Sequence, residues 1–323
     1  MTIAAEPAPS TPRSTLTLAV LASVGIGVLI ALQSRVNGEL GRELDDAYLA
    51  ALISFGSGLV ITSVALLFWR PGRRGMVDIR SAVRERRIPW WYLGAGAIGA
   101  LFVVSQSLSG AVIGVAMFTI AVVCGQTISG LLIDRNGIGL TPPSPITVTR
   151  LLGAVIALVA VGWAVSPHLG GDIPLWMLLL PFIAGLGVGL QQAMNGQLKL
   201  AADSALPPTF LNFVTGSLVL VVAAGIHLAF AGLPSAVPAN PLLYTGGLIG
   251  VVFVGAIAMV VRTTGLLLLG LASTSGQLLT SLLLDLIVPL PGHVLAAATV
   301  GGTALTLVAV GVAAFPSRIV RRR

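Results

Sequence analysis

Residues 242–261 and 294–315 each run for some twenty positions without a single charged side chain. That is the length an α-helix needs to cross the roughly 30 Å of bilayer hydrocarbon. A helix apolar on every side belongs in a large protein core or in lipid. The remainder of the chain decides between these. Only 9% of its residues are charged, 56% are hydrophobic, and the mean hydropathy is +1.00. A water-facing surface calls for about a quarter charged residues, so lipid is the solvent for most of this surface.

Reading along the chain on that basis places further spans near 16–36, 47–69, 90–109, 111–133, 148–166, 175–194, 209–231 and 264–288. The expected fold class is all-α integral membrane with ten transmembrane helices. The least distinct boundary lies near Gly110, where two spans meet with little polar punctuation. Residues 1–15, rich in Pro, Ala, Ser and Thr, are expected to form a disordered tail, and residues 316–323 a basic one.

Orientation follows from lysine and arginine. With both termini cytoplasmic, the inner segments hold Arg13, the seven arginines between Arg70 and Arg87, Arg135, Arg150, Lys199, Arg262, Arg318 and Arg321–Arg323. Only Arg35 and Arg42 fall outside, in a first hairpin also carrying Glu39, Glu43, Asp45 and Asp46. An odd number of spans would divide the basic segments between the two faces, so the bias supports an even count.

The second half of the chain repeats the first. Shifted by 158 positions, Gly27, Leu32, Gln33, Asn37, Gly38, Leu40, Asp45, Ala47, Phe55 and Gly58 fall on Gly185, Leu190, Gln191, Asn195, Gly196, Leu198, Asp203, Ala205, Phe213 and Gly216. Further on, Gly125-Gln126 with Asp134 recurs as Gly276-Gln277 with Asp285, and Leu158–Gly162 as Leu307–Gly311. The units are expected at 16–166 and 175–315. Each holds five spans, so the second would enter the bilayer in the opposite direction, the inverted-repeat plan common among secondary transporters.

The Gln33-Ser34-Arg35-Val36-Asn37-Gly38 stretch, its echo from Gln191 to Gly196, and the twice-used Gly-Gln-x7-Asp element resemble the YdcZ-type inner-membrane proteins of the drug/metabolite transporter superfamily. The resemblance implies an EamA-like arrangement of five plus five spans in a bacterial cytoplasmic membrane, a cavity between spans one to four and six to nine, and a mild preference for export. It also implies that spans five and ten are peripheral or serve a homodimer.

Polar side chains are expensive inside a membrane and mark candidate substrate paths. The candidates for a substrate cavity are Gln33, Asn37, Ser54, Gln106 and Gln126 in the first half and Gln191, Gln192, Asn195, Asn212 and Gln277 in the second. Amides both donate and accept without carrying charge, which suits a neutral or zwitterionic solute; bridging neighbouring helices is the alternative use. Asp134 and Asp285 are gating or proton-coupling candidates, Asp134 at the inner end of span four and Asp285 at the outer end of span nine, with polar helix ends as the plainer reading. The Asn37-Gly38 and Asn195-Gly196 pairs read as helix C-termini, with hinges as the alternative.

Other classes find little support. The basic residues flank apolar runs and form no basic-aromatic stripe, which argues against a nucleic-acid partner. Cys124 is the only cysteine and lies in an apolar run. His168, His227 and His293 match no metal-ligand spacing. No phosphate-binding Gly-x4-Gly-Lys loop or hydrolase motif occurs, so neither a cofactor nor an enzymatic activity is expected. The expected function is a secondary transporter moving a small polar or amphipathic metabolite or drug by alternating access. A passive facilitator and a non-transporting scaffold are the alternatives.

Overall fold

The computed structural model describes residues 13–138, 146–168, 174, 176–234, 236–289 and 296–314, and among these every regular element is helical. The main helices are α1 (Arg13–Leu44), α2 (Ala47–Phe68), α3 (Arg70–Arg84), α4 (Ala95–Ser105), α5 (Val115–Asn136), α6 (Val148–Val165), α7 (Trp176–Ala202), α8 (Leu206–Ala231), α9 (Gly246–Ile287) and α10 (Ala297–Ala314). Among the described residues, seven apolar stretches are long enough to cross a membrane: α1, α2, α5, α6, α7, α8 and the run Trp90–Ile113 containing α4. Gly246–Ile257 and Ala297–Ala313 are shorter apolar helical stretches.

Four features differ from the sequence reading. The Asn37-Gly38 and Asn195-Gly196 pairs lie inside α1 and α7 rather than at their ends. The chain instead turns at Asp45 and Asp203, equivalent residues with φ of 52° and 44°, a region aspartate reaches more readily than most side chains. The span boundary expected at Gly110 falls at Gly114. Gly110 is helical inside a π turn, Gln106–Gly110, whereas Gly114 has φ 82° and ψ 159°, a conformation open essentially to glycine alone. α1 begins at Arg13, within the expected tail.

The fourth difference is α9, one helical run of 42 residues where two spans were expected, with Arg262 inside it. A straight helix of that length would measure about 63 Å. The Gly246 carbonyl accepts a hydrogen bond from Gln33, while the backbone of Ser273–Gln277 lies against Gly27, six residues back on α1. Six residues of α1 cover about 9 Å, whereas 27 residues of straight α9 would cover about 40 Å. The run therefore folds back between these contacts.

The two halves pack through reciprocal contacts. Gly27 meets the carbonyl of Ser273, and Gly276 meets that of Val24, each too closely to admit a Cβ; Gly185 meets Val122 and Gly125 meets Phe182 in the same way. The four residues of the α1–α9 crossing are the repeat equivalents of the four at the α5–α7 crossing. Gly153 against Ala309 and Gly302 against Ala160 form a third reciprocal set, joining α6 to α10. Between α2 and α8, the equivalent residues Phe55 and Phe213 touch each other edge to face, ring centres 5.3 Å apart. Phe55 lies over Gly216 and Phe213 over Gly58. Contact between equivalent positions is what a local two-fold axis produces.

Candidate functional site

The helical spacing of Gln33, Ser34 and Asn37 brings all three into the interior of the bundle, where each is buried. Gln33 Nε2 donates to the Gly246 carbonyl at 2.8 Å. Asn37 Nδ2 donates to Gln106 Oε1 at 2.7 Å, and Gln106 Nε2 donates to Ser34 Oγ at 2.8 Å. Gln106 begins the π turn, a rare geometry concentrated at functional positions. The hydroxyls of Ser105, Ser107 and Ser109 are buried around this turn without a hydrogen-bond partner in the chain. Ser54, also buried, is too close to Gly246 for a Cβ there. The result is a compact uncharged network with spare donors and acceptors, among them Asn37 Oδ1 and, on α9, the buried Gln277 Nε2.

At one end of this region the Asp285 carboxylate accepts from the backbone N–H of Val115 at 3.1 Å and of Ala116 at 2.7 Å. These are the first N–H groups of α5, freed by the turn at Gly114. A helix N-terminus carries partial positive charge and unsatisfied donors, so a buried carboxylate is stable there. The contact ties the end of α9 to the start of α5. Asp134 lies near the C-terminal end of α5, and its side chain falls outside the described residues, as do Asp172 and His293. No group of three metal-ligating side chains occurs among the described residues.

Equivalent polar positions are unequally buried. Gln33, Asn37, Ser54 and Gln277 are 6%, 0%, 3% and 3% exposed. Their equivalents Gln191, Asn195, Asn212 and Gln126 are all partly open, and Gln192, which occupies the position of Ser34, is exposed. Gln106 has no polar counterpart, because Ile257 stands in its place. Asn195 Oδ1, like Asn37 Oδ1, is left without a partner.

Two residues of this region were not singled out from the sequence. Ser34 receives the Gln106 bond; its third-residue spacing to Asn37 was the available signal. Asp46 caps α2 by accepting from Tyr48 and Leu49 N–H at 3.0 and 2.9 Å, and lies 3.9 Å from His227. Its position one residue before a long apolar run is a readable N-cap signature.

Fold and site together define an all-helical, multi-span membrane protein of two packed repeats enclosing uncharged polar groups. The profile of the family described as "Putative inner membrane exporter, YdcZ" matches the chain twice, over residues 18–163 and 176–312, and the chain belongs to that family. It is thus an inner-membrane protein of the drug/metabolite transporter type. No curated protein matches it significantly. Among solved structures, one described only as "Crystal structure of protein" aligns with 93% of this chain and 97% of its own, at 17% identity and a TM-score of 0.55. That likeness concerns the fold alone.

Proposed function

We propose that the chain is a secondary transporter that exports a small, neutral or zwitterionic polar or amphipathic solute by alternating access. In this reading ten spans form two inverted five-helix units, both termini are cytoplasmic, and the Asp285 end faces outward. The solute occupies the space between the α1–α2 and α7–α8 pairs. There Gln33, Asn37, Ser54, Gln106 and Gln277, with Gln126, Gln191, Gln192, Asn195 and Asn212 opposite, exchange hydrogen bonds with one another and with the solute.

The observation that carries the reading is the unequal burial of equivalent amides. A static scaffold assembled from two copies of one unit has no reason to close one set and leave the other open. An alternating-access protein must do so in each of its end states. Asp285 capping α5 then closes the outer end, and Asp134 serves the inner end in the opposite state.

The test is a melting-temperature screen of the purified protein against neutral, zwitterionic and cationic solutes, followed by vesicle flux of those that stabilise it. Saturable flux with counterflow supports the transporter. Flux that never saturates makes it a facilitator, and stabilisation without flux makes it a binding or scaffold protein.

A further inference from the structure

The repeat offset falls from 158 between Gly58 and Gly216 to 151 between Gly125 and Gly276. The first half therefore holds seven extra residues, and this stretch includes α3. Its counterpart, 232–245, contains no lysine or arginine. α3 buries Gly72, Gly75, Ile79 and Ala82, with Gly72 and Gly75 against Leu206, Leu66, Ala202 and Pro207. Arg70, Arg73, Arg74, Arg80 and Arg84 occupy the opposite third of its circumference, all exposed. Among the described residues Arg70, Arg74, Arg80 and Arg84 form no ion pair or side-chain hydrogen bond, and Arg87 takes up Glu85 at 2.7 Å. Trp69, Trp90 and Trp91 are exposed at the two ends of the segment, as tryptophans at a membrane–water boundary are.

Directly beside the basic face lies an open groove of about 440 Å³ between α2, α3 and α8. Its lining is Ser63, Leu66, Leu67, Met76 and Phe210, with Arg73 the one charged member. Ser63 spends its hydroxyl on the Leu59 carbonyl, and Arg73 donates one N–H to the Leu67 carbonyl. An apolar trough thus opens onto a row of guanidinium groups.

We propose that this groove and α3 bind an anionic phospholipid, one acyl chain lying along Leu66, Leu67 and Phe210 and the phosphate held by Arg73 with Arg70 and Arg80. The guanidinium fork matches a phosphate, and a zwitterionic headgroup would bring a cation against the row. A free phosphate would leave the trough unfilled. Each arginine near the headgroups contributes about fivefold in affinity.

The test uses the purified full chain in neutral detergent, with phosphatidylglycerol, phosphatidylcholine and inorganic phosphate as probes and melting temperature as readout. Phosphatidylglycerol alone should raise it, and 0.5 M NaCl should weaken the effect. Arg70→Gln with Arg73→Gln should weaken the lipid's half-maximal effect by ten- to thirtyfold. Leu66→Trp, which fills the trough, should abolish it with the arginines in place. Equal shifts from both lipids, an equal shift from phosphate, or full binding by the double variant overturns the proposal. Should the variants not fold, a salt-independent shift of the wild-type protein does so as well.

Discussion

If Asp285 is the outer closure, replacing it should move the balance between end states and not only lower stability. The carboxylate is 3% exposed and accepts two backbone hydrogen bonds at the start of α5. Bonds to a charged acceptor contribute about 1.5–3 kcal/mol each, and loss of a helix N-cap costs about 0.5–2 kcal/mol. Asp285→Ala, which orphans both N–H groups, should weaken the closed end by about 2–4 kcal/mol. Asp285→Asn keeps one carbonyl acceptor and should weaken it by about 1–2 kcal/mol, near tenfold in a two-state equilibrium. The assay is maleimide labelling in a Cys124→Ala background, with a single thiol at Ser54→Cys or at Asn212→Cys. Without the Asp285 change, position 212 should label faster, since Ser54 is 3% exposed and Asn212 partly open. Adding Asp285→Asn should speed labelling at 54 about tenfold and slow it at 212. A lower melting temperature with both labelling rates unchanged would show that the cap is static, and the gating argument would fail.

Three further outcomes follow from the packing. Gly27→Leu and Gly185→Leu should destabilise the protein by similar amounts, at least about 1–3 kcal/mol each, because both positions meet a carbonyl at equivalent crossings; thermal melts of the two would expose any inequality. Gly114→Ala should cost about 1–3 kcal/mol through backbone strain, with no comparable loss for Gly110→Ala, where φ is −60°. Phe55→Ala and Phe213→Ala should each cost about 3–5 kcal/mol, and the double variant less than their sum, because the rings touch each other.

Much of the fold was legible because bilayer thickness fixes the length of an uncharged run, and because polar letters such as Gln33, Asn37 and Asp45 recur at a constant offset against an apolar background. Helix ends were harder to read. Asn37-Gly38 has the chemistry of a C-terminus, yet only tertiary contact reveals that the amide nitrogen donates to Gln106 and that the glycine packs closely against the π turn. The turn at Gly114 was displaced from Gly110 for a related reason, since two glycines four residues apart look alike until φ is known. The fold-back of α9 had its signal in Arg262, the charge that separates the two apolar runs read as spans 242–261 and 264–288, although the helix runs on unbroken through it. The amides were identifiable as a set, but which of them pair was not. That depends on Gln106 lying in a π turn and on Ile257 replacing its counterpart, and periodicity records neither.

Where α1 crosses α9 and α5 crosses α7, backbone rests on backbone with no side chain between. Such a joint has no rotamer to change and no gap to close. It can roll, but it cannot part without opening a void along its whole length. Relative motion of the two halves would therefore use these crossings as fulcrums, with displacement growing toward the helix ends, where Asp285 and Asp134 stand.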